Sequence, residues 1–259
     1  GGLVITPKDI TGASVGDFEK MTYNGKEQIP VASVTADGLI ATGEWSKVTN
    51  VADKTTFTAN GNFTGTITDR PTGMEKAHSG FSLSPTAKPN LKYDKTKQVL
   101  IIAGKADGGV LKYSTDNKAT WSEELPKGIN AGKYEVYFKI FGDDNHFDTD
   151  FNLLNASIAK AGIGIPTIGT KVYTGALQKA EIGDTDDYVV RENNGGTKAG
   201  RYDVKLELAD SVNYHWNGKP DDVSGITLDF RITKSDNNWT LDPIIMGWTY
   251  GENANIPSY

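Results

Sequence analysis

The sequence contains no cysteine, which excludes disulfide staples, thiolate metal sites and a cysteine nucleophile together. Histidine is almost as scarce, with three in 259 residues. Three scattered imidazoles without a carboxylate-rich partner set do not make a zinc centre. No apolar run approaches the roughly 20 residues of a membrane-spanning helix, so no membrane insertion is expected of this chain. Nor does a basic segment lead into an apolar signal core at the N-terminus. Long runs of Lys and Arg are missing too, and 27 basic against 33 acidic side chains leave a net charge of -6. Nucleic acid is therefore not an expected partner.

The residues that are present describe a folded chain, 37% hydrophobic with 10% aromatic, whose core should lean on Tyr, Phe and Trp. Clusters of Asn, Asp and Gly punctuate it about every ten residues. Between them KYEVYFKIF (from Lys133) and RYDVKLEL (from Arg201) alternate apolar and polar side chains with the period of a half-buried strand. No amphipathic helix stands out. The expected fold is all-β, with tandem small antiparallel β-sandwich domains of Ig-like type and a β-grasp-like sheet as the alternative.

Domain count comes from internal repetition. A Tyr-centred segment occurs four times, as YNGKEQIP at Tyr23, YDKTKQVL at Tyr93, YTGALQKA at Tyr173 and YGENANIP at Tyr250, with offsets of 70, 80 and 77 residues. AGKYEVYFKI (Ala131 to Ile140) matches AGRYDVKLEL (Ala199 to Leu208). A third signature places an aromatic after a polar turn, at Phe63, Phe147 and Tyr214, and the endings ASIAK and FRITK agree at Ile158 and Ile232. The expected boundaries are repeat one at 1–69, a Pro/Gly linker at 70–79, repeat two at 80–160 and repeat three at 161–234. Residues 235–259 read as the start of a fourth repeat, packed on repeat three or on a neighbouring chain through Trp239 and Trp248.

These signatures resemble the tandem Ig-like and MBG-type repeats of bacterial cell-surface proteins, most specifically in AGKYEVYFKIFGDDNH. The resemblance covers nearly the whole chain, although repeat one lacks the AG[KR]Y string. It implies an extracellular or cell-surface stalk or adhesive array, with a signal peptide and envelope anchor outside these residues. The implied partner is a host or bacterial surface protein or a glycan. No catalytic residue is carried over.

Three candidate sites remain. Asp143, Asp144, Asp148 and Asp150, with Asn145 and His146, gather hard oxygen donors that could hold Ca²⁺, but the spacing is not that of an EF-hand and suits a β-turn better. His146 and His215 occupy matching places in repeats two and three, where turn capping is the expected role. Trp121 follows the polar run STDNKAT and is the best candidate for an exposed ring that stacks on a sugar, so a carbohydrate-binding module is the alternative function. No nucleophile, base and orienting group converge, and Glu123 and Glu124, being adjacent, would point to opposite faces of a strand. The chain is expected to be no enzyme and to need no cofactor.

Overall fold

The computed structural model describes residues 2–219, 224–237, 244 and 247–253. Among them every regular element is a strand and none is a helix, so the chain is all-β, and no described residue supplies the helix that a β-grasp lays across its sheet. The chain divides into two compact units, Gly1–Ala159 and Lys160–Tyr259. The first holds two hydrophobic cores, one per repeat, and the second holds one.

Each core lies under one antiparallel sheet. In repeat one this sheet is Gly43–Trp45, Lys54–Ala59 and Thr66–Pro71. In repeat two it is Gly109–Ser114, Gly132–Gly142 and Asn152–Ile158. Tyr188–Asn193, Gly200–Leu208 and Ile226–Thr233 form it in repeat three, where Lys171–Val172 adds a fourth, parallel strand beside Ile226–Thr233. The alternation that marked these segments in the sequence is the alternation of their burial. Val136, Phe138 and Ile140 point inward, as do Val204, Leu206 and Leu208, and each such side chain contributes about 1.5–3 kcal/mol when fully buried.

The three repeats share a frame that ties their ends together. The entry strand pairs in parallel with the aromatic signature, Lys8–Asp9 with Phe63–Thr64, Ala77–His78 with His146–Phe147, and Ala161–Ile163 with Tyr214–Trp216. The exit of each repeat accepts a hydrogen bond from the backbone of its own Tyr segment, Tyr23 to Glu75, Tyr93 to Ala159 and Tyr173 to Thr233, at 3.0, 2.9 and 2.9 Å. A glutamine five residues after each Tyr clamps the loop. Gln28, Gln98 and Gln178 donate from Nε2 to the carbonyls of Thr22, Lys92 and Val172 at 3.1, 2.8 and 2.8 Å. The Tyr loop turns through a left-handed residue at Gly25, Lys95 and Gly175, which explains glycine at two of the three positions.

The missing AG[KR]Y string of repeat one has a steric explanation. Tyr134 and Tyr202 each bend back so that the hydroxyl donates to a carbonyl four residues earlier, Asn130 at 2.6 Å and Lys198 at 2.8 Å, a corner of the kind found in β-sandwiches. Their rings lie directly over Gly128 and Gly196, where no Cβ fits. Repeat one carries the buried Val48 at the matching register position, paired with Gln28 as Gly128 is with Gln98 and Gly196 with Gln178. Lys54 replaces the tyrosine. Here Asp53 takes over the corner and accepts the Thr49 and Asn50 amides at 2.8 and 2.7 Å.

Two expectations need revision. Residues 70–79 are not a free linker: the strand Thr66–Pro71 enters the segment, Thr72 and Met74 are buried, Glu75 closes repeat one and Ala77 opens repeat two. Its Pro and Gly suggest a loop, yet Arg70 and Pro71 end an antiparallel strand and the contacts after them are parallel pairs too short to show a periodicity. At the other end Trp248 is 52% exposed and Tyr250 wholly so, so Trp248 is not buried against repeat three. Trp239 lies outside the described residues.

Candidate functional site

The acidic turn of repeat two is a folded junction. Asp143 accepts from Nδ1 of His146 at 2.7 Å and from the Asn145 amide at 2.8 Å. These bonds, the imidazole first, hold its carboxyl below the usual carboxylate range. Asp148 pairs with Lys139 at 2.7 Å and accepts the Gly142 amide at 2.9 Å, again with a lowered pKa, the Lys139 contact being the larger cause. Asp144 and Asp150 do not converge with them: among the described residues no three His, Asp or Glu side chains form a group able to hold a metal ion.

Around this turn, repeats one and two interlock within the first unit. Asn145 accepts the Val51 amide at 2.9 Å and donates to Oδ1 of Asn50 at 3.0 Å. Lys76 donates from Nζ to the Asp143 carbonyl at 2.9 Å, and the His146 ring meets Tyr23 edge to face with centroids 5.0 Å apart. Lys160 repeats the lysine contact inside the second unit, reaching the Ser211 carbonyl at 2.5 Å. His215 donates to the Trp216 carbonyl at 2.9 Å. The histidines thus fix turns and rings.

Trp121 is half-buried and lies edge to face on Phe141 with centroids 5.6 Å apart. It belongs to a larger surface that the sequence reading missed. On the outer side of the repeat-two sheet, Tyr137 and Phe141 stand in line on the central strand, and Phe151 packs on Tyr137 at 6.0 Å. Lysines lie over these rings: Lys139 and Lys112 over Phe141 at 4.2 and 5.3 Å, Lys118 over Phe151 and Tyr137 at 4.2 and 4.9 Å. Such cation–ring contacts contribute about 0.5–1 kcal/mol each when exposed.

No family model, curated protein or solved structure matches the chain. The internal repeats therefore provide the comparison. Where repeat two has Tyr137 and Lys139, repeat three has Lys205 and Glu207, and these join cross-strand ion pairs, Lys205 with Glu192 and Arg191 with Glu207, both at 2.7 Å. In repeat one the same side of the sheet carries Thr56 and Thr58. The aromatic and basic outer face is thus particular to repeat two. A signal for it existed in the sequence: in KYEVYFKIF the nominally polar positions include Tyr137 and Phe141.

The turn presenting Lys118 is held with unusual firmness. Asn117 and Lys118 are both left-handed, with φ of 55° and 72°, a region that side-chain-bearing residues seldom occupy. Asp116 stabilises it by accepting from Ser114 Oγ at 2.6 Å, Thr120 Oγ1 at 2.5 Å and the Thr120 amide at 3.0 Å. Those bonds, Ser114 first, hold the Asp116 carboxyl far below its ordinary pKa.

Proposed function

We propose that the chain is a non-catalytic stalk or adhesive array of a cell-surface or secreted protein, in which each repeat buries its own core and transmits load to the next. The observation that carries this reading is the frame found three times, in which entry strand and exit are both held by parallel pairing. Tension applied to the leading end of one strand and the trailing end of its parallel partner acts along both. Their hydrogen bonds must then slip together instead of peeling singly. The Asn145, Lys76 and His146 contacts between repeats one and two add resistance to bending at that junction. The resemblance to bacterial Ig-like and MBG-type surface repeats supports the same role, which requires no cofactor.

Antibody labelling of intact source cells tests the proposal. Labelling without permeabilisation, removed by external protease, is expected; labelling of opened cells alone would overturn it.

A further inference from the structure

We propose that the outer face of the repeat-two sheet binds an acidic saccharide, a chain of hexoses carrying uronic carboxylates. This deepens the adhesive part of the function proposed above and rests on it. A sheet face turned to water is ordinarily polar, as the ion-paired face of repeat three is. Repeat two instead exposes Phe151 by 51%, Leu153 by 47% and Val110 by 43%, beside the half-buried Trp121, Tyr137 and Phe141. Apolar side chains gathered with rings on the outer face of a sheet mark a place where something docks.

The chemistry of the occupant follows from the rings and the charges together. An exposed aromatic plane packs against the C–H faces of a pyranose ring while the sugar hydroxyls keep their water. Trp121, over which no lysine lies among the described residues, offers the footing, and the lysine-covered rings of Phe141, Tyr137 and Phe151 stand beside it. Charge then selects among sugars. Lys139 is neutralised by Asp148 at 2.7 Å, and Lys112 is loosely opposed by Glu123 at 3.9 Å. Lys118 lies over rings, with no carboxylate paired to it among the described residues. One uncompensated ammonium beside two ring pairs fits a sugar that carries a carboxylate, to which it gives a charge-assisted hydrogen bond.

The left-handed turn at Asn117 and Lys118, fixed by Asp116, sets where the Lys118 side chain leaves the backbone beside the rings. A nucleic acid strand fits less well. The edge-to-face rings give no run of parallel platforms on which successive bases could stack.

The test measures binding of the whole chain to immobilised hyaluronan, polygalacturonate, dextran and oligothymidylate at about 0.15 M salt, where exposed charges are screened beyond a Debye length. Binding to at least one of the two uronate polymers is expected. Trp121→Ala and Phe151→Ser should each weaken it at least about tenfold, in line with lost ring contacts. Lys118→Gln should weaken it by a similar factor and, touching no core residue, reads the site even where a ring variant misfolds. Arg201→Ala, on the outer face of repeat three, should leave it unchanged. The proposal is overturned if neither uronate polymer binds, if Lys118→Gln binds as the parent does, or if dextran or oligothymidylate binds equally well. Failure to bind while intact cells are labelled removes the ligand and leaves the array reading standing. Labelling of opened cells alone removes the array reading and the adhesive role of this face with it.

Discussion

Gly128→Ala tests the steric bargain at the corner of repeat two. An alanine Cβ would lie 2.6 Å from Cζ of Tyr134 and 2.9 Å from its Cε1 and hydroxyl oxygen, where carbon atoms are comfortable at about 3.5–4.0 Å. The ring cannot simply swing away, because its hydroxyl is bonded to the Asn130 carbonyl at 2.6 Å and its body packs on the core of Val136 and Ile158. Overpacking of this size costs about 1–3 kcal/mol, and losing the hydroxyl bond would cost about 1 kcal/mol more. We expect repeat two to lose about 2–3 kcal/mol, read from amide exchange at Val136 and Ile140 in the strand Gly132–Gly142. The double variant Gly128→Val with Tyr134→Lys reproduces the Val48 and Lys54 pair of repeat one. It should be more stable than the two single changes summed, by about 1 kcal/mol or more. A neutral Gly128→Ala, or a double variant that is merely additive, would show that the glycine and the tyrosine ring do not constrain each other.

Asn145→Ala removes both hydrogen bonds to Asn50 and Val51, and should weaken the coupling of repeats one and two by about 1–2 kcal/mol. Residual dipolar couplings would then report altered alignment of the two repeats while the amides of each core stay protected; unchanged couplings would count against the junction. The lowered pKa of Asp116 means that its support of the Lys118 turn is present in full above the unfolded value of about 3.9. It fades only as pH falls through the lower folded value. Carboxyl NMR titration should place the Asp116 midpoint below that of an unstructured aspartate, and a midpoint at or above it would contradict the hydrogen-bond account. Asp116→Ala should speed amide exchange at Lys118 and Thr120, whose N–H groups bond to Ser114 and Asp116.

Strands that alternate in sequence alternate in burial, so the central sheets were legible at Lys133 to Phe141 and Arg201 to Leu208. The Tyr segments were legible as a repeat, and the structure gives the reason: the Gln clamp and the left-handed turn recur at fixed spacing from each Tyr. The parallel closures were hidden, because two-residue pairs such as Ala77–His78 with His146–Phe147 join distant segments and leave no local pattern. That is why 70–79 read as a linker. The aromatic face was half-visible. Trp121 stood out beside a polar run, whereas Tyr137 and Phe141 were absorbed into the apolar count of a strand whose outer side also carries rings. Lys118 was invisible as a site residue, since its position over two rings depends on a left-handed backbone that no side-chain pattern announces.

Three repeats of one frame, each with its own core, should unfold one at a time under load, and stretching single molecules from both ends measures this directly. Unfolding of Lys8–Glu75, Ala77–Ala159 and Ala161–Thr233 should appear as three separate force peaks. Each should release roughly 240 to 290 Å of chain, at about 3.5 Å per residue. One release of the whole length, or gradual extension without peaks, would contradict the account.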